Sequence, residues 1–199
     1  MKTILKVSAL ALLIGNVAVS YAADNAFVEI TGNIAAHSCD LSADAPRWDL
    51  GNHQAADFAD AATKVGAIPH ILTINCSNAD ELATAGDPLN IEVRDETWGA
   101  GQPSQNDIDT TKYWGNSGGT GAGIVLNLAS QSVPATMTMG TAKDVTPTDS
   151  EYAVATAKAD DANIDGIYTV KATPAMLAPV PASVKTGYVN ANLMFTMAP

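Results

Sequence analysis

After Gly187 the chain sets Val189, Ala191, Leu193, Phe195 and Met197 at strict period two, with Tyr188, Asn190, Asn192, Met194 and Thr196 between them. Successive side chains of an extended strand point to opposite faces, so this spacing lays five apolar side chains on one face. The run predicts a long half-buried strand over 187–197. Such a strand requires a core beneath it and a neighbour on each edge.

A second alternating stretch lies at the other end of the chain. In Phe27–Ile34, Val28, Ile30, Gly32 and Ile34 fall on one face, and Glu29, Thr31 and Asn33 on the other. Between the two ends, short alternating runs recur and helical spacing is scarce. Arg47–Leu50 reads as a short strand ending at Gly51, and Asn52–Lys64 as a loop or brief helix. Further strands are expected over Ile68–Asn75, Leu89–Arg94, Gly123–Leu128, Ala135–Met139, Ala153–Ala157 and Ile167–Ala172. Gly99–Thr120 is rich in Gly, Asn, Ser and Asp and reads as a surface loop. Pro174, Pro179 and Pro181 predict a stiff connection outside any ladder. Many short strands between turn residues indicate an all-β sandwich or barrel.

The first residues carry a different signal. Lys2 and Lys6 precede an apolar run from Val7 to Val19 and the small-residue site Ser20-Tyr21-Ala22. This is the pattern of a secretory signal peptide over residues 1–22, cleaved after Ala22. Its removal leaves 8 basic against 21 acidic residues, a formal charge of −13. Acidity of that size argues against nucleic acid and anionic membranes as partners. In an oxidising compartment Cys39 and Cys76 can pair and persist as a disulfide. A two-thiol metal site is the poorer alternative, because there is no CxxC and the three histidines are scattered.

These parts together resemble the pilin subunits that the chaperone–usher pathway assembles on Gram-negative bacteria, of the type 1 fimbria-like kind. The resemblance rests on the signal peptide and on Ile30-Thr31-Gly32-Asn33-Ile34 with Cys39 seven residues beyond the glycine. It rests also on Leu50-Gly51, the Ile68-Pro69-His70-Ile71-Leu72-Thr73-Ile74-Asn75-Cys76 approach to the second cysteine, Gly121–Leu126, and the terminal alternation. His70 stands where that family usually has Phe, and its usual penultimate Tyr is absent from Phe195-Thr196-Met197-Ala198-Pro199.

The resemblance implies an immunoglobulin-like sandwich that lacks its last strand. It divides the chain into a signal peptide (1–22), a donor-strand extension (23–36) and a pilin domain (37–199). Val28, Ile30, Gly32 and Ile34 become the donor face, with Gly32 at a shallow point of the groove. Val189, Ala191, Leu193, Phe195 and Met197 become part of the acceptor groove, which a chaperone fills first. The implied partners are other pilin subunits, a periplasmic chaperone, an outer-membrane usher and a host glycan or protein receptor. The implied location is the cell surface, in a fimbrium that supports cell adhesion. The competing reading is a secreted β-sandwich that binds carbohydrate.

Nothing in the residue pattern points to an enzyme, a cofactor or a metal. His37, His53 and His70 are isolated and read as surface or packing residues, and Ser38 lacks a Gly-x-Ser-x-Gly setting. Gly118-Gly119-Thr120-Gly121 lacks the Lys of a phosphate loop. Asp161-x-Asn163-x-Asp165-Gly166 opens like a calcium loop, but Ala172 occupies the position of its closing Glu. Trp98 and Trp114 are the candidates for a glycan surface, and Trp48 for packing between strands.

Overall fold

The computed structural model describes residues 39–76, 82–96, 108–115, 117–160 and 162–198. In chain order its strands are β1 (Asp40–Ala43), β2 (His70–Cys76), β3 (Leu82–Ala83), β4 (Pro88–Asp95), β5 (Gly123–Ser132) and β6 (Met137–Met139). They continue with β7 (Lys143–Val145), β8 (Glu151–Ala157), β9 (Ala162–Asn163), β10 (Gly166–Leu177) and β11 (Leu193–Ala198). Two single turns of 3-10 helix, Ala55–Asp57 and Pro181–Ser183, are the only helical pieces among the described residues. Asn52–Lys64 is therefore mostly loop around one short turn.

Apolar alternation decides which face of each strand turns inward. Leu72, Ile74 and Cys76 of β2 are buried, as are Leu89, Ile91 and Val93 of β4, Ile124, Leu126 and Leu128 of β5, and Tyr168, Val170 and Ala172 of β10. The strands form two antiparallel sheets, ordered β1-β2-β10-β5-β7 and β11-β4-β8-β6, with a small β3-β9 pair beside them. Their inner faces share one core. This is the all-β sandwich that the alternation predicted, of the immunoglobulin-like kind that the resemblance implied. β8 carries a bulge: Leu89 pairs with Ala155 but Asn90 with Ala153, so Val154 is the extra residue. The bulge lets both Val154 and Ala155 turn inward.

Four local expectations are corrected. Arg47–Leu50 forms no strand, because β1 leaves the sheet after Ala43↔Leu72 and Pro46 has no N–H to donate. Pro174 does not stop a ladder, since β10 runs on to Leu177, with Pro174 opposite Leu126. Met176 N–H and C=O both bond to Val65 on the β2 side. By strand alternation the Pro174 ring nitrogen faces that same side, where β2 has already ended at Ala172↔His70.

The long terminal strand is shorter than its pattern. Only Leu193–Ala198 enters a ladder, because β4 ends with Asp95 opposite Leu193. Residues 187–191 instead lie against a glycine-rich loop. A Cβ on Gly115 (φ 73°) would stand 2.0 Å from the Asn190 carbonyl oxygen, and one on Gly118 (φ 57°) 2.3 Å from that of Tyr188. Only glycine allows both the left-handed backbone and the close approach. The loop is also not a simple surface excursion: Trp114, Ser117 and Thr120 are buried, and Trp114 Nε1–H donates to the Val145 carbonyl (2.9 Å).

Cys39 and Cys76 form a disulfide that joins the start of β1 to the end of β2. It closes a loop of 37 residues. Phe27–Ile34, His37, Ser38, Trp98 and Asp161 lie outside the described residues.

Candidate functional site

The two sheets do not close on each other along one side. β11 ends one sheet and β1 ends the other, and among the described residues β11 has a ladder partner, β4, on one edge alone. Beside it runs an open groove of about 860 Å³. One wall is residues 184–195 and the other is the stretch 43–55. Its floor includes Ala122, Ile124, Pro174 and Met176.

Each wall has its own cause. Asp44 N–H donates to the Ile71 carbonyl (2.9 Å), the last backbone bond between the β1 side and β2. Beyond it the chain is shaped by local contacts. Asp49 Oδ1 accepts the Gly51 N–H (2.9 Å), and His53 Nε2 lies 2.7 Å from the Leu50 carbonyl. The opposite wall rests on the Gly115–Gly121 loop, whose Thr120 carbonyl accepts the Lys185 N–H (2.9 Å). At one end of the groove Phe58, Val65, Ala122 and Ala178 form a separate buried cluster, with Met176, Val184 and Val189 against it.

The other end is aromatic. Trp48 stacks on His70 with ring centroids 4.6 Å apart and planes within 6°. Trp48 also meets Phe195 at 5.8 Å and a 48° tilt, reaching from one wall to the other. Behind the stack, His70 Nδ1 lies 3.2 Å from Asp44 Oδ1, and the Ile71 N–H donates to Asp44 Oδ2 (3.0 Å). An ionised carboxylate only accepts, so Nδ1 is the donor. The Ile71 N–H holds the Asp44 carboxyl below its ordinary range, against an opposing effect of burial. The His70 contacts add to the lowering.

Of the residues singled out as an acceptor groove, Val189, Ala191, Leu193 and Phe195 line this groove together. Met197 does not; it packs half-buried against the core beyond the groove's end. The donor-face residues Val28, Ile30, Gly32 and Ile34 lie outside the described residues. Trp114 is 1% exposed and has no face to offer a glycan. Sequence reasoning missed Asp44, Phe58 and the linkage of Trp48 to His70. Its one trace was His70 itself, a polar ring at a position where the resembled family has an apolar one.

No curated protein matches the chain in a sequence comparison. A family model described as fimbrial protein matches residues 28–198, nearly the whole chain and every residue that the structure describes. Structural proteins of this kind are not known as enzymes. The chain belongs to the fimbrial protein family, as a subunit that assembles with other pilin subunits into a surface appendage.

Proposed function

We propose that the subunit polymerises head to tail by donor-strand exchange. The observation that carries this reading is the open groove beside residues 184–195, which reaches the edge of β11 that has no ladder partner among the described residues. An unpaired strand edge above exposed core side chains is an aggregation hazard unless something fills it. The Phe27–Ile34 segment of a second copy has the matching chemistry, an apolar face at period two. It is about 26 Å long when extended, enough to run past the groove-lining residues Val189 to Phe195. Main-chain hydrogen bonds to β11 would supply affinity, and alternate side chains would supply register. The contact is heterologous, so it propagates as a filament rather than closing as a dimer.

The remaining parts of the reading follow from this one. Residues 1–22 direct export and are removed, 23–36 form the donor extension, and 37–199 form the pilin domain. A periplasmic chaperone protects the groove until an outer-membrane usher delivers the subunit to the growing fibre. The fibre supports adhesion to a host surface.

The test is complementation. A chain lacking residues 23–34 is mixed with a peptide of residues 26–34. At a peptide concentration a hundredfold above Kd, linkage raises stability by about 2.7 kcal/mol. For a domain of this size that is a rise in Tm of roughly 5–10 °C. An unchanged Tm at saturating peptide would sink the proposal. In cells, Ile30→Asp should stop fibre growth and leave the chaperone complex intact.

A further inference from the structure

The groove differs in charge from the rest of the molecule. Over residues 37–199 the chain carries 8 basic against 19 acidic residues, a formal charge of −11. Most of its cations are already engaged. Lys64 pairs with Asp144, Arg94 with Glu92, Lys112 with Asp109 and Lys143 with Asp149. Lys158 Nζ donates to the Ala135 carbonyl (2.8 Å). Among the described residues, the side chains of Arg47, Lys171 and Lys185 have no such partner. Arg47 and Lys185 are exposed and line the groove, one on each wall. Asp49 is the only acid among the described lining residues, and its Oδ1 already accepts the Gly51 N–H (2.9 Å). The lining thus carries an excess of positive charge on an otherwise acidic body.

We propose that Arg47 and Lys185 draw an acidic strand into the groove, and that this strand is residues 23–34 of a second copy. The inference rests on the donor-strand reading above and adds the chemistry that selects the segment. Residues 23–34 carry Asp24 and Glu29 and no basic residue. An acidic segment that approaches a body of charge −11 is repelled everywhere except where cations stand. With Val28, Ile30 and Ile34 turned down, alternation turns Glu29 up, to the mouth between the two walls, whichever way the strand runs. Both cations are exposed, so an ion pair with Glu29 adds little to the equilibrium. Their effect lies in the rate of encounter, which rim charges control and salt screens. The apolar face then holds the strand once it has arrived. A neutral segment with the same apolar pattern would be held as firmly and would arrive more slowly.

The test follows, by stopped flow, the capture of a dye-labelled peptide of residues 23–34 by the full mature chain. A second peptide carries Asp24→Asn and Glu29→Gln. At an ionic strength of about 10 mM, where charges act over about 30 Å, the natural peptide should associate about fivefold faster than the neutral one. At about 1 M, where the reach is about 3 Å, the two rates should agree within about twofold. Dissociation rates should differ by less than about twofold at either salt concentration. In the Arg47→Gln/Lys185→Gln chain the order should reverse, because the acidic body then repels the natural peptide unopposed. Lys158→Gln/Lys171→Gln removes the same two charges away from the groove and should keep the natural peptide ahead. Equal association rates at low salt in the unaltered chain would overturn the steering and leave the donor assignment standing. An equal effect of the two double substitutions would do the same. Capture of neither peptide would overturn the donor assignment, and the steering with it.

Discussion

Reducing the Cys39–Cys76 bond, with no side chain replaced, tests how the edge of the groove is held. The bond closes a 37-residue loop that contains the whole 43–55 wall, including Trp48. Chain-entropy reasoning for a loop of that length gives about 4 kcal/mol of stabilisation. β1, an edge strand with only four paired residues, Asp40–Ala43, would then depend on its ladder with β2 and on Leu41 packing against the core. Cys76 stays fully buried as a thiol, so no polar group is introduced. Urea unfolding of oxidised and reduced protein should show Cm falling by about 2 M, at an m-value of about 2 kcal/mol/M. The two m-values should agree within about a fifth. A fall below about 0.5 M would refute the loop-entropy reasoning. A clear change in m would show that reduction had altered the compactness of one of the end states instead of the loop entropy alone.

Three further outcomes follow from the geometry. The Asp44 carboxyl is held low in the folded chain, chiefly by the Ile71 N–H, so its stabilising effect is complete above the unfolded value of about 3.9 and is lost as pH falls through the folded value. Asp44→Asn should flatten the stability profile below about pH 4, and unchanged acid unfolding would remove Asp44 from the account. Trp114→Phe deletes the donor to the Val145 carbonyl and should cost about 1–3 kcal/mol in urea unfolding, the penalty of a buried acceptor left alone. Gly118→Ala places a methyl group 2.3 Å from the Tyr188 carbonyl oxygen on a left-handed backbone. It should lower stability by more than about 1 kcal/mol and weaken peptide capture by the groove; retained affinity would mean that the loop does not shape that wall.

The periodic strands were legible because burial and spacing coincide in them. Leu72 and Ile74, Leu89 to Val93, and Ile124 to Leu128 alternate in the sequence and alternate in the core. The elements that departed from their pattern did so for want of a partner, which spacing does not encode. Residues 187–191 keep the alternation of β11, but β4 stops at Asp95, so the loop takes the place of a strand. Pro174 reads as a breaker, but the side it faces has no strand left to bond. The groove was legible only as one wall. Its second wall comes from residues 43–55, whose contacts are long-range and irregular. The stack of Trp48 on His70 joins two distant positions within the one disulfide loop.

An open apolar groove would be expected to collapse, since closing it removes apolar surface from water. What holds it open is that each wall is fastened to something other than its opposite wall. The 43–55 wall is fixed by the disulfide at its start, by Asp44 on the Ile71 backbone, and by Trp48 on His70. The 184–191 wall is seated on the glycine loop, where any side chain at Gly115 or Gly118 would push it out of place. The two walls touch at Trp48 and Phe195, and that contact spaces them as a strut does. The floor belongs to β5 and β10, which are paired along nearly their full length and cannot rise to fill the space. Collapse would have to break these attachments before it gained any burial. A strand supplied from outside gains the same burial and breaks none of them, so the groove favours insertion over closure.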